Sequence, residues 1–178
     1  MKLSFSKNLF LLLLLLSGFA SYAQEGRNEQ GQDDSLVVIV PTSEPADLRM
    51  ITPPQGFEES TIFNGYLSIY TSTAIQMQMI QNVVYPKLLE GMNEEWASKY
   101  SMTKISDTSI VTDAGFKGHV YKYTYYDSEM KYQAIRYVVY IGDLKDTLWL
   151  NIVYPESVEE LVEDEILKSL KTVNLKPE

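Results

Sequence analysis

Nucleophilic, acid–base and metal chemistry draw on a short list of side chains, and this sequence is poor in them. His119 is the one histidine, and there is no cysteine. Any Ser–His pair or histidine-ligated metal would have to use His119. That residue follows Gly118 at the head of a tyrosine-rich stretch, with no G-x-S-x-G or H-E-x-x-H pattern near it. A partly exposed strand-end histidine is the plain reading. Gly115-Phe116-Lys117-Gly118 reads as a tight turn and lacks the glycine spacing of a phosphate loop. No stretch has the ligand spacing of an EF-hand. Asp33-Asp34 falls in a polar segment, and Glu159, Glu160, Glu163, Asp164 and Glu165 read as the wet face of a helix. Nothing among the 24 acidic residues selects a carboxylate pair for glycoside hydrolysis. The expectation is therefore no catalytic residue, no cofactor, no metal and no enzyme.

Tyrosine is the abundant functional side chain, with 13 copies, and Tyr121, Tyr123, Tyr125, Tyr126, Tyr132, Tyr137 and Tyr140 crowd one segment. Aromatics two apart commonly build strand core. They also make recognition surfaces, because tyrosine offers a large contact area at small entropic cost. Lys122, Tyr126 and Tyr137 are the candidate partner-binding surface. Arg136, expected opposite Tyr121, could stack on these rings or extend along the sheet margin.

The elements that position these residues begin after a leader. Lys2 and Lys7 precede an apolar run from Leu9 to Leu16, and Ser21 and Ala23 flank Tyr22 as a signal peptidase requires. Residues 1–23 are expected to be a signal peptide cleaved between Ala23 and Gln24. The run is too short for a span, which takes about 20 apolar residues, so no stable membrane insertion is expected. The protein should be exported to the periplasm or the extracellular space.

The leader holds two of the 15 basic residues and none of the 24 acidic ones, so the remainder carries a formal charge of −11. That charge disfavours nucleic acid and anionic membrane surfaces as partners. Without cysteine there is no disulfide framework, and about 155 residues suffice for a core that stands unaided.

Residues 24–47 read as a polar arm, interrupted by a possible edge strand at Leu36–Val40 and broken again at Pro41-Thr42-Ser43-Glu44-Pro45. Leu48–Thr52 has strand character up to Pro53-Pro54. Phe63–Tyr70 and Ala74–Val83 suit a hairpin in which Ile75, Met77 and Met79 face one way. Pro86–Gly91 suits a helical turn, and Asn93 a cap for a short helix reaching Tyr100. A strand over Met102–Val111 then leads into an antiparallel meander at about Phe116–Tyr126, Lys131–Ile141 and Thr147–Tyr154.

If Tyr125 pairs with Tyr132 and Tyr140 with Leu148, one face holds Tyr121, Tyr123, Tyr140, Leu148, Leu150 and Ile152. The other then holds Lys122, Ile135, Tyr137, Val139 and Trp149. Both faces need cover. Ser157-Val158-Glu159-Glu160 has the form of a capping box. It opens a helix whose stripe is Val158, Val162, Ile166, Leu170 and Val173. This helix is assigned to the Leu148 face, leaving the Tyr137 face partly open. A pocket between sheet and helix lined by Met77, Met79 and aromatics is the alternative, with a small-molecule carrier as its function.

The run Met50-Ile51-Thr52-Pro53-Pro54-Gln55-Gly56-Phe57, then Phe63-Asn64-Gly65-Tyr66, the meander, Tyr154-Pro155 and the closing Ile166–Val173 resemble the PsbP-like superfamily. That group includes the extrinsic subunit of photosystem II, the Mog-type Ran-binding protein and exported bacterial members, the last being the nearest. The resemblance covers about residues 48–175. It implies an α+β domain, an α/β/α sandwich with a central antiparallel sheet and a long C-terminal helix, used for binding rather than catalysis. No binding residue of the family maps onto this chain. The function expected is an exported, non-enzymatic binding or accessory module recognising a protein or envelope component.

Overall fold

Alternation of apolar and polar residues over most of the chain yields strands, and the structure, a computed structural model, describes residues 42–177. Among them eight strands form one sheet: β1 (Thr42–Pro45), β2 (Glu58–Glu59), β3 (Gly65–Ser68), β4 (Thr73–Gln81), β5 (Thr103–Val111), β6 (Lys117–Asp127), β7 (Tyr132–Gly142) and β8 (Thr147–Pro155). Their order is β2-β3-β4-β8-β7-β6-β5, every neighbouring pair antiparallel, and β1 also pairs β4. The helices are α1 (Tyr85–Leu89), α2 (Glu94–Lys99) and α3 (Glu159–Lys171). This is the α+β architecture expected, with the meander, the β3–β4 hairpin and the two short helices where the sequence puts them. The Asn93 side chain accepts the Trp96 N–H at 2.9 Å, as a cap should.

Each sheet face has its own core. Beneath α3 lie Ile75, Met77, Val120, Ile135, Val139, Leu148, Leu150 and Ile152, packed against Val162, Ile166, Leu170 and Val173. On the opposite face Tyr121, Tyr123, Val138, Tyr140 and Trp149 pack against Met92, Trp96, Ala97 and Met102.

Strand β8 departs from the expected register. Tyr140 pairs with Trp149, not Leu148, and an offset of one residue turns a whole strand over relative to its neighbour. The cause is the turn. Asp143 Oδ1 accepts the N–H groups of Lys145 and Asp146, closing four residues tightly and leaving Gly142 paired with Thr147 inside the sheet. Helix α3 does cover Leu148, Leu150 and Ile152, but Tyr137 joins them there while Tyr140 lies on the other face.

Three local expectations also give way. Leu48–Met50 is a 3-10 turn, because Asp47 accepts the Arg49 N–H at 2.9 Å and the segment bonds to the end of α3 instead of to a strand. There Thr172 Oγ1 accepts from Thr52 N at 2.9 Å, and Asn174 N donates to Met50 O at 2.8 Å. Thr42–Pro45, read as a break, is strand β1, and Pro45 is tolerated at its end because it lies at a sheet edge. Ser157 caps nothing: Glu156–Val158 is a 3-10 turn in which Glu159 N donates to Glu156 O, and α3 starts after it. The leader, its cleavage point and Leu36–Val40 lie outside the described residues.

Strands β1 and β3 share one side of β4, end to end. Asn64 fills the junction, donating from Nδ2 to Ala46 O at 3.0 Å and Met77 O at 2.9 Å. The next residue must be glycine. Gly65 has φ of +148°, and a Cβ there would stand 1.9 Å from Ile75 O.

Candidate functional site

Lys122 and Tyr137 are cross-strand partners on β6 and β7, on the face that α3 covers. The first turns of α3 bring Glu159 and Glu163, four apart, onto them. Lys122 Nζ lies 2.5 Å from a carboxylate oxygen of each glutamate and 5.6 Å from the Tyr137 ring centroid. The Tyr137 hydroxyl donates to the same Glu163 oxygen.

Burial works against the Lys122 charge, yet the two carboxylates hold its pKa above the usual lysine value. Burial likewise disfavours the Glu163 anion, but the bonds from Lys122 and Tyr137 keep its pKa below the usual glutamate value. This cluster fastens helix to sheet. Tyr137 is 2% exposed and Lys122 is half-buried, whereas Tyr126, on the same face but beyond the helix, is 61% exposed. The open surface expected from all three residues is therefore present only at Tyr126. The register of β8 explains it, since α3 comes down on Tyr137.

Tyr126 has company that sequence reasoning missed. Strand pairing places the β3–β4 turn, the β8–α3 connection and the β6–β7 turn at one end of the sheet, because Ala74 faces Val153 and Ala134 faces Pro155. Ile69 and Tyr70 in the first turn, Met130 in the third, Leu161 in the first turn of α3 and Tyr126 are all exposed, Tyr70 to 91%. At about 4.8 Å per strand, the two turns stand about 14 Å apart across this tip. Both are stiff. Asp127 Oδ1 accepts from Glu129 N and Met130 N at 2.9 Å each, and Ser72 and Lys131 hold left-handed φ of 52° and 59° without being glycine. The signal was available in sequence as apolar residues inside turns, but only the strand order shows that the turns are neighbours.

The remaining candidates are placed as follows. His119 Nε2 lies 3.4 Å from Asp107 Oδ1, and its ring lies 4.6 Å from that of Tyr121, beside the β5 edge. Arg136 pairs with Tyr123, two residues from the expected Tyr121, and is buried under Met102 and not at the sheet margin. Met77 is fully buried in the core beneath α3, with Met79 partly buried at its border. Among the described residues no group of three metal-ligating side chains is assembled, and no helix is long and apolar enough to cross a membrane.

No family model matches the sequence, and no curated protein matches it. Solved structures similar to it include three bacterial proteins. Cyanobacterial PsbP from Synechocystis matches over 82% of this chain and 98% of its own at 6% identity and a TM-score of 0.48. LpqN, involved in cell envelope biogenesis of Mycobacterium tuberculosis, matches over 72% and 80% at 13% identity and a TM-score of 0.48. A Pseudomonas aeruginosa protein of unknown function matches over 72% and 99% at 9% identity and a TM-score of 0.45.

Proposed function

We propose that this domain is an exported, non-catalytic binding module that engages a protein or envelope component through the tip of its sheet. The carrying observation is the gathering of Ile69, Tyr70, Tyr126, Met130 and Leu161, all exposed, at one end. Exposed apolar side chains gathered at one end of an otherwise acidic protein mark an interaction surface. Stiff turns reduce the entropy lost when such a surface is covered. The leader supports export, and the scarcity of histidine and cysteine supports binding over catalysis. Immobilised mature protein should retain a partner from envelope extract, and the double variant Tyr70→Ala/Tyr126→Ala should lose it without a change in Tm. Leu144→Ala, at the opposite end of the sheet, is the control. Equal retention by both variants would remove the tip from consideration.

A further inference from the structure

The second core, on the face away from α3, contains a charge with no counter-charge among the described residues. Arg136 is 8% exposed. Its Nε donates to Asn151 Oδ1 at 2.6 Å and its Nη1 to Met102 Sδ at 3.9 Å, both neutral acceptors. Among the described residues no carboxylate lies within 4.0 Å of it, although the chain has 24 acidic residues to supply one. Tyr100, Tyr123, Tyr125 and Tyr140 are near enough to act on it electrostatically. Burial pushes Tyr123 and Tyr125 up to about 12, so they are neutral at ordinary pH and cannot balance the guanidinium.

The same face carries further unmet polarity. Tyr123 is the cross-strand partner of Arg136, and its buried hydroxyl has no hydrogen-bond partner. Gln76 is the cross-strand partner of Asn151, and its buried Oε1 has none either. Tyr123, Arg136, Asn151 and Gln76 thus form a polar diagonal across β6, β7, β8 and β4 beside the aromatic core of this face. Buried polar groups are ordinarily satisfied, and a buried cation is ordinarily paired.

We infer that Arg136 with the Tyr123 hydroxyl is a receptor for a carboxylate bearing an apolar body, the guanidinium supplying the charge and the surrounding rings the apolar wall. A guanidinium fork matches the two oxygens of a carboxylate, and a phenol adds one further donor. The carboxylate could belong to a free organic acid or to the C-terminus of a peptide. This site does not depend on the tip reading, since it lies within the opposite layer of the sheet.

The test titrates mature protein with octanoate and, as the neutral control, octanol, and in parallel with a short apolar peptide carrying a free or an amidated C-terminus. Binding is read by calorimetry and by the Arg136 Nε–H resonance. Octanoate should bind at least about tenfold more tightly than octanol and move that resonance, and Tyr123→Phe should weaken it severalfold. Preference for the free-acid peptide over both octanoate and the amide would assign the carboxylate to a polypeptide source. Arg136→Met should abolish binding and raise Tm by at least about 2 °C, because an uncompensated buried charge has been removed. A structural arginine would give the opposite shift in Tm. If neither acid outbinds its neutral counterpart, or the Arg136 resonance stays still, the inference is wrong, whatever the fate of the variants.

Discussion

Two tyrosines with similar sequence surroundings have opposite roles. Tyr140 is fully buried against Met92, to whose sulfur its hydroxyl donates at 3.4 Å, while Tyr126 is open. Tyr140→Ala should cost about 3–5 kcal/mol, the range for emptying a large aromatic site. Tyr126→Ala should stay within about 0.5 kcal/mol of the parent, as surface changes do. Thermal melts of both variants decide it, and an early melt for Tyr126→Ala would show that the tip is core. Glu163 gives a second residue-scale prediction. Its folded pKa is depressed, so its contribution to stability is present above the unfolded value of about 4.5 and is lost as pH falls through the lower folded value. Acidification should therefore lower Tm of the parent more steeply below about pH 4.5 than that of Glu163→Gln, which should start lower at neutral pH. Parallel slopes would deny the Lys122–Glu163–Tyr137 cluster its fastening role.

At the scale of elements, α3 was the most legible and its start the least. The stripe Val162, Ile166, Leu170 and Val173 is buried as its spacing requires. Leu170→Ala should cost about 2–5 kcal/mol. Ser157→Ala should cost less than about 0.5 kcal/mol, since the 3-10 turn at Glu156–Val158 takes over the work of a cap. Urea midpoints that rank the serine change first would mean that α3 starts at Ser157 after all. Periodicity identified the strands, because side-chain alternation is written in each segment separately. Register was not written there. It depended on whether Gly142 belongs to the turn or the strand, and an Asp143 side-chain bond decided that. The same offset moved Tyr137 under α3, so one misplaced turn residue was enough to misplace two of the three candidate site residues. The tip and the Arg136 diagonal were illegible for a related reason. Both join residues from strands that are neighbours in space and distant in sequence.

The whole molecule depends on its last strand. Strand β8 stands between β4 and β7, so residues 74–80 are joined to the rest of the meander only through residues 147–153, and α3 closes the core immediately afterwards. Without β8, the β3–β4 hairpin and the β5–β7 meander share no strand pairing, and a chain that stops before β8 also lacks α3, which leaves the Val120, Ile135 and Val139 face of the meander bare. The two-faced core is therefore incomplete until residues 147–171 are present. The long sequence separation at the centre of the sheet slows folding, which is expected on a millisecond-to-second scale. A chain ended at Gly142 should show no protected amides in hydrogen exchange and no cooperative melt. Protection confined to β5–β7 in that fragment would show instead that the meander folds ahead of its keystone.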